Sequence, residues 1–125
     1  MICVAIACSA STAFATDFTC TFVNKEEAPL IVYLTQIDLQ TAKGQFTIAG
    51  QKPVGLSVKL RNNVLTMFGS TSGKGSEDSY LVTVALGKKQ PFQVMYSLHM
   101  VSKVDTINLT LPIGFERDGT CEATD

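Results

Sequence analysis

Four groups of residues in this chain are of types that could do chemistry. The densest is Gly69-Ser70-Thr71-Ser72-Gly73-Lys74-Gly75-Ser76, which is glycine-rich and carries a lysine, as a phosphate-binding loop does. Its spacing is wrong for that work: Gly69 and Gly73 are one residue too close together, and Gly75 stands where a magnesium-holding Ser or Thr belongs. No helical pattern follows that would aim backbone N–H groups at an anion. The stretch reads instead as a polar loop, 69–79, of the kind that carries recognition residues on a rigid scaffold.

His99 is the only histidine, so any imidazole acid–base chemistry has to use it. Ser97 shares its strand face, and Asp105 is the acid that could orient it. No Gly-x-Ser-x-Gly elbow accompanies them, and His99 is expected as a solvent-facing strand residue. The close carboxylates Glu77-Asp78 and Glu116/Asp118 fall in or beside expected turns, where acids are solvated. Glycoside hydrolysis needs two carboxyls facing each other across a cleft, and the spacing identifies no such pair. No catalytic set, cofactor or metal is therefore assigned. The expectation is a non-enzymatic domain, with an enzyme built on His99 ranked last.

Cysteine supplies the fourth group. Cys3 and Cys8 lie in an apolar, uncharged opening segment that ends Ala13-Phe14-Ala15, the small-x-small pattern of a secretory cleavage site. Residues 1–15 are accordingly expected to be a signal peptide and 16–125 one β-domain, although no Lys or Arg precedes Lys25. The apolar run is too short to span a bilayer, so no membrane span is expected in the mature chain. Cys20 and Cys121 remain, an even pair for an oxidising compartment, periplasmic or extracellular. They form either one disulfide or two buried thiols. As metal ligands they lack companions, since His99 is distant in sequence.

The rest of the composition narrows the class. With 125 residues the chain is sized for one domain. Ten Lys/Arg against eleven Asp/Glu, scattered singly or in pairs, leave a net charge of −1 and no basic stripe for nucleic acid. Tryptophan, the residue most favoured for stacking and anchoring, is absent.

The elements that must position these groups are strands. Phe18, Cys20 and Phe22 alternate with Thr19 and Thr21, giving one apolar and one polar face. Leu30 to Leu34 is apolar on both faces before Ile37 and Leu39 resume alternation, which predicts either a strand buried on both sides at one end or a bulge that shifts the phase. Thr41-Ala42-Lys43-Gly44 reads as a turn, with Gly44 free to take positive φ. Val54, Leu56, Val58 and Leu60 form the cleanest half-buried pattern, and Asn62-Asn63 marks a two-residue hairpin turn. Further strands follow at Val64–Phe68, Tyr80–Leu86 and Phe92–Met100. Another is marked by Ile107, Leu109 and Leu111, broken by Pro112–Gly114, and a last one ends at Cys121. The fold expected is all-β: a single antiparallel meander of about eight strands, closed as a small barrel or a two-sheet sandwich. In it, Cys20 and Cys121 would join the first and last strands.

The Phe-Thr-Cys opening and Gly-Thr-Cys-Glu ending resemble those of small exported bacterial β-proteins bracketed by one disulfide. Within that group, Ser70-Thr71-Ser72-Gly73-Lys74 is similar to the inhibitory loop of the periplasmic c-type lysozyme inhibitor family, and like that loop it follows a hydrophobic strand. The family's tyrosine after the loop glycine is absent or displaced to Tyr80, and its downstream tryptophan is missing. A complete β framework with no assembled catalytic set is expected to be a binding or envelope-associated module with a protein or envelope ligand, and the resemblance of the loop implies Ser70, Ser72 and Lys74 as binding residues. The alternative it raises is an inhibitor of a cell-wall hydrolase using loop 69–79.

Overall fold

A computed structural model describes residues 16–24, 27–73, 76–104 and 109–124. The expected signal peptide, Lys74 and Asp105 lie outside the described residues. Eight strands follow one another: β1 (Asp17–Asn24), β2 (Glu27–Asp38), β3 (Lys43–Ile48), β4 (Val54–Arg61), β5 (Val64–Gly73), β6 (Ser76–Ala85), β7 (Phe92–Val104) and β8 (Leu109–Thr124). Each pairs antiparallel with its sequence neighbour, and β8 returns to β1, so the meander closes as a barrel rather than a sandwich.

The closing seam runs from Asp17↔Thr124 to Phe22↔Gly119 and sets Cys20 directly opposite Cys121. Their Cα atoms are 4.0 Å apart and a disulfide joins them across 101 positions of sequence. Both are fully buried, so the bond lies on the interior face of the barrel. Closing so long a loop contributes on the order of 4–5 kcal/mol in the chain-entropy account.

Alternation puts the apolar positions inside. Phe18, Phe22, Val32, Leu34, Phe46, Leu65, Met67, Val82, Val84, Val94 and Tyr96 are each at most 2 % exposed and fill the lumen. Aromatic rings stack across it: Phe46 lies 5.1 Å from Tyr96 and 5.6 Å from Tyr80, with ring planes tilted. The outer face carries Lys59, Arg61, Glu116, Asp118 and Glu122. This apolar-inside, charged-outside arrangement is the reverse of a transmembrane barrel's. Among the described residues no helix is long and apolar enough to cross a membrane.

A bulge lies in β2. Its register against β3 shifts between Thr35 and Asp38, Gln36 takes φ 52°, and burial moves from Val32 and Leu34 to Ile37. The Asp17 carboxylate accepts a hydrogen bond from the Gln36 N–H at 3.2 Å. Asn62 and Asn63 both have positive φ, 52° and 63°, as the hairpin turn requires.

Three expectations are corrected. Positive φ in the β2–β3 turn falls on Ala42, at 58°. Gly44 instead belongs to β3 and is buried; a Cβ there would sit 2.9 Å from Val58 Cγ2 and 3.0 Å from Met67 Cε. Its glycine answers a lack of space, not a turn. Pro112–Gly114 does not break the chain, because β8 runs through it with Pro112 opposite Val101. On that stretch β8 has a ladder only with β7, and edge strands tolerate proline. The polar loop 69–79 is, in its described residues, a continuation of β5 and β6, paired from Gly69↔Tyr80 to Gly73↔Ser76.

Candidate functional site

Strands β5 to β8 run much further toward one end of the barrel than β1 to β4. The β4–β5 ladder ends at Ser57↔Phe68 and the β1–β8 ladder at Phe22↔Gly119. Past those points β5–β6 continues to Gly73↔Ser76, β6–β7 to Ser76↔Ser102 and β7–β8 to Val104↔Leu109. The result is a tall half-rim of four strands facing a low half-rim, with an open edge on β5 and another on β8.

Two sites follow from that asymmetry. The first is on the outer wall. Ser70 and Ser72 point outward and are exposed on the open edge of β5, while Thr71, between them, faces inward. Beside Ser70 lies a groove of about 590 Å³, walled by Lys43 and Gln45 on β3, Ser57 on β4 and Phe68 on β5. Its floor is Gly55, which pairs with Gln45 and whose missing Cβ would meet no atom within 4 Å. Phe68 is 46 % exposed and pairs with Leu81, 44 % exposed, so an apolar strip borders the groove. The structure thus brings Ser70 and Ser72 together on one open strand edge.

The second site is the barrel mouth, a cavity of about 390 Å³ under the tall half-rim. Leu30 and Ile48 wall its low side. Asp78 and Tyr80 of β6, Tyr96 and Leu98 of β7, and Arg117 of β8 wall the other. All five are inward positions of consecutive strands: Tyr80 opposes Leu98, Asp78 opposes Met100 and Arg117 opposes Tyr96. Asp78 Oδ1 is buried and has no hydrogen-bond partner among the described residues. Burial pushes the Tyr96 phenol up to about 12; Tyr80 and Asp78 add to that shift, and the Arg117 guanidinium opposes it. The four polar side chains therefore share one electrostatic neighbourhood.

None of those four was singled out as a site residue from sequence. Glu77-Asp78 looked like a solvated pair, but on a strand the two point to opposite faces: Glu77 is exposed outside, whereas Asp78 turns in. Arg117 had a usable signal, since it shares parity with Cys121 and so lies on the interior face of β8. His99 is exposed on the outer wall, as expected, between Ser79 of β6 and Gly114 of β8. Ser97 shares its face and is buried. Glu116 and Asp118 are outward and exposed.

No family model, curated protein or solved structure matches the chain.

Proposed function

We propose that this protein is a non-catalytic binding module, exported to the periplasm or secreted, that takes a polypeptide partner along the open edge of β5. The observation that carries the reading is the early end of the β4–β5 ladder at Ser57↔Phe68, which leaves Gly69–Gly73 with a strand partner on the β6 side only. Such an edge offers backbone N–H and C=O groups to an incoming extended segment, and the adjacent groove offers a place for its side chains. Small residues keep the edge accessible, and the bordering Phe68 supplies apolar contact. A buried disulfide on the closing seam suits an oxidising compartment.

A second reading uses the same element. Residues 69–73 and 76–79 project as two paired strands with exposed Ser70 and Ser72, a shape suited to entering an enzyme cleft, and the resemblance to the lysozyme inhibitor loop makes a cell-wall hydrolase the enzyme to try. Inhibition of a c-type lysozyme that is lost in Ser72→Ala would establish this form of binding.

The edge reading is tested by Gly55→Leu, which puts a side chain into the groove at a position where a Cβ meets no atom within 4 Å, and by a photo-cross-linking residue at position 72. In intact cells position 72 should yield a protein adduct that Gly55→Leu abolishes. The same probe at position 88, in the turn at the opposite end of the barrel, should yield none. Equal labelling from both ends, or none from position 72, would remove the reading.

A further inference from the structure

We infer that the barrel mouth is a second, separate binding site, and that its ligand is a neutral polyhydroxylated ring, a single sugar residue free or at the end of a glycan. The packed lumen limits the ligand's length. Phe22, Phe46, Leu34, Val82 and Tyr96 are each at most 1 % exposed and close the barrel immediately beneath the mouth. The described residues leave no channel for an acyl chain, so the ligand is short and stays in the cavity, which at about 390 Å³ is near the small end of ligand pockets.

The wall then sets the ligand's polarity. Among the described residues it holds one carboxylate, Asp78, and one guanidinium, Arg117, so its formal charge sums to zero. A ligand with net charge would leave one of these groups facing an unmatched charge in a partly desolvated place. Asp78 Oδ1 is a buried acceptor that no described residue serves, and it calls for a donor from the ligand. Arg117 is donor-only, and the phenols of Tyr80 and Tyr96 can donate or accept.

Distribution separates the remaining neutral candidates. These polar groups are spread over three strands, with Asp78 level with Met100 of β7 and Arg117 level with Tyr96 of the same strand. A zwitterionic amino acid gathers its polar atoms at one end and would meet only part of that ring. A sugar carries hydroxyls around its whole perimeter, each both donor and acceptor. Its apolar C–H face suits Leu30, Ile48 and Leu98, which line the same cavity.

The test is calorimetric titration of the intact protein with glucose, galactose, mannose and N-acetylglucosamine, with phenylalanine and laurate alongside. Tyrosine emission gives an independent readout, because the chain has no tryptophan and only three tyrosines, of which Tyr80 and Tyr96 line the mouth. At least one sugar should bind saturably, and Asp78→Asn should weaken it by about tenfold or more, the range for a hydrogen bond to a charged group. Tyr80→Phe should weaken it less. Both variants should melt with the wild-type protein, which separates loss of binding from loss of fold. A sugar held equally well by both variants would place the site elsewhere and overturn the assignment. Saturable binding of phenylalanine or laurate with no response to any sugar would overturn the ligand class. No saturable binding by any of the six compounds would overturn the site.

Discussion

The barrel proper and the four strands that project from it are built from the same ladders but face inward with different chemistry. In the barrel, inward positions such as Phe18, Phe22, Val32, Leu65 and Val84 are all but fully buried, and every strand has a neighbour on each side. In the projecting part, inward positions are Thr71, Asp78, Tyr80, Leu98 and Met100, each only partly buried, and the outer two strands have open edges. Tyr80 and Leu98 pack against the core at the base of this part, and beyond them the described strands are held by their ladders. Stability is therefore concentrated in the closed part, and both proposed binding sites fall in the open part, the division expected where recognition is carried on a rigid scaffold.

The largest effect should come from the closed part. Cys20→Ser and Cys121→Ser should each destabilise the domain by about 4–5 kcal/mol, and the double variant should add little, because both remove the same bond. Urea unfolding of the three variants checks this. Additive losses would show that the cysteines act separately, and small ones would mean that the seam ladder, not the bond, keeps β1 on β8.

Tyr96 stands at the boundary between the two parts, its ring against Phe22 and Phe46 and its phenol among the mouth residues. Its pKa is raised from 10.0 to about 12, chiefly by burial. Between those values the folded protein keeps a proton that the unfolded chain has lost, so unfolding releases a proton and stability declines as pH rises. The contribution is fully present below pH 10 and disappears progressively as pH rises toward 12. Unfolding midpoints across this window should fall more steeply for the wild-type protein than for Tyr96→Phe. Parallel curves would show that the phenol is solvated in the folded state and that the floor of the mouth is wetter than its packing indicates.

What was legible in sequence follows the same boundary. Alternation marked β1, β4, β5, β6 and β7 because each has a lumen to face, and Phe18-x-Cys20-x-Phe22 announced both the buried face of β1 and the seam. The apolar run before Ile37 left a doubly buried strand end or a bulge open, and the register shift at Gln36 decides for the bulge. Where the lumen ends, alternation loses its physical cause: Gly69–Ser79 reads as a loop because nothing apolar is required of either face. Pro112 reads as a break for a related reason, since a proline signals a strand's end unless the strand is known to be an edge. Asp78 was illegible because its burial depends on the height of neighbouring strands, a property of the closed barrel that no local pattern contains. Gly44 shows the limit from the other side, a glycine whose apparent turn role gave way to crowding by Val58 and Met67.

The smallest effects on stability should come from the projecting hairpin, and they make the sharpest test of the division. Ser70 and Ser72 are exposed, belong to an edge with one ladder, and touch no part of the lumen core. Ser70→Ala and Ser72→Ala should each change unfolding free energy by no more than about 0.5 kcal/mol, as surface substitutions do. Ser70→Lys should be equally mild, since a charged side chain on an open edge is a common guard against unwanted strand pairing. The same lysine should nonetheless suppress cross-linking from position 72, because it hinders the approach of a partner strand without disturbing β6. A lysine variant that unfolds readily would mean the hairpin is part of the stability core. One that is stable and still captures the partner would move the docking surface away from the β5 edge.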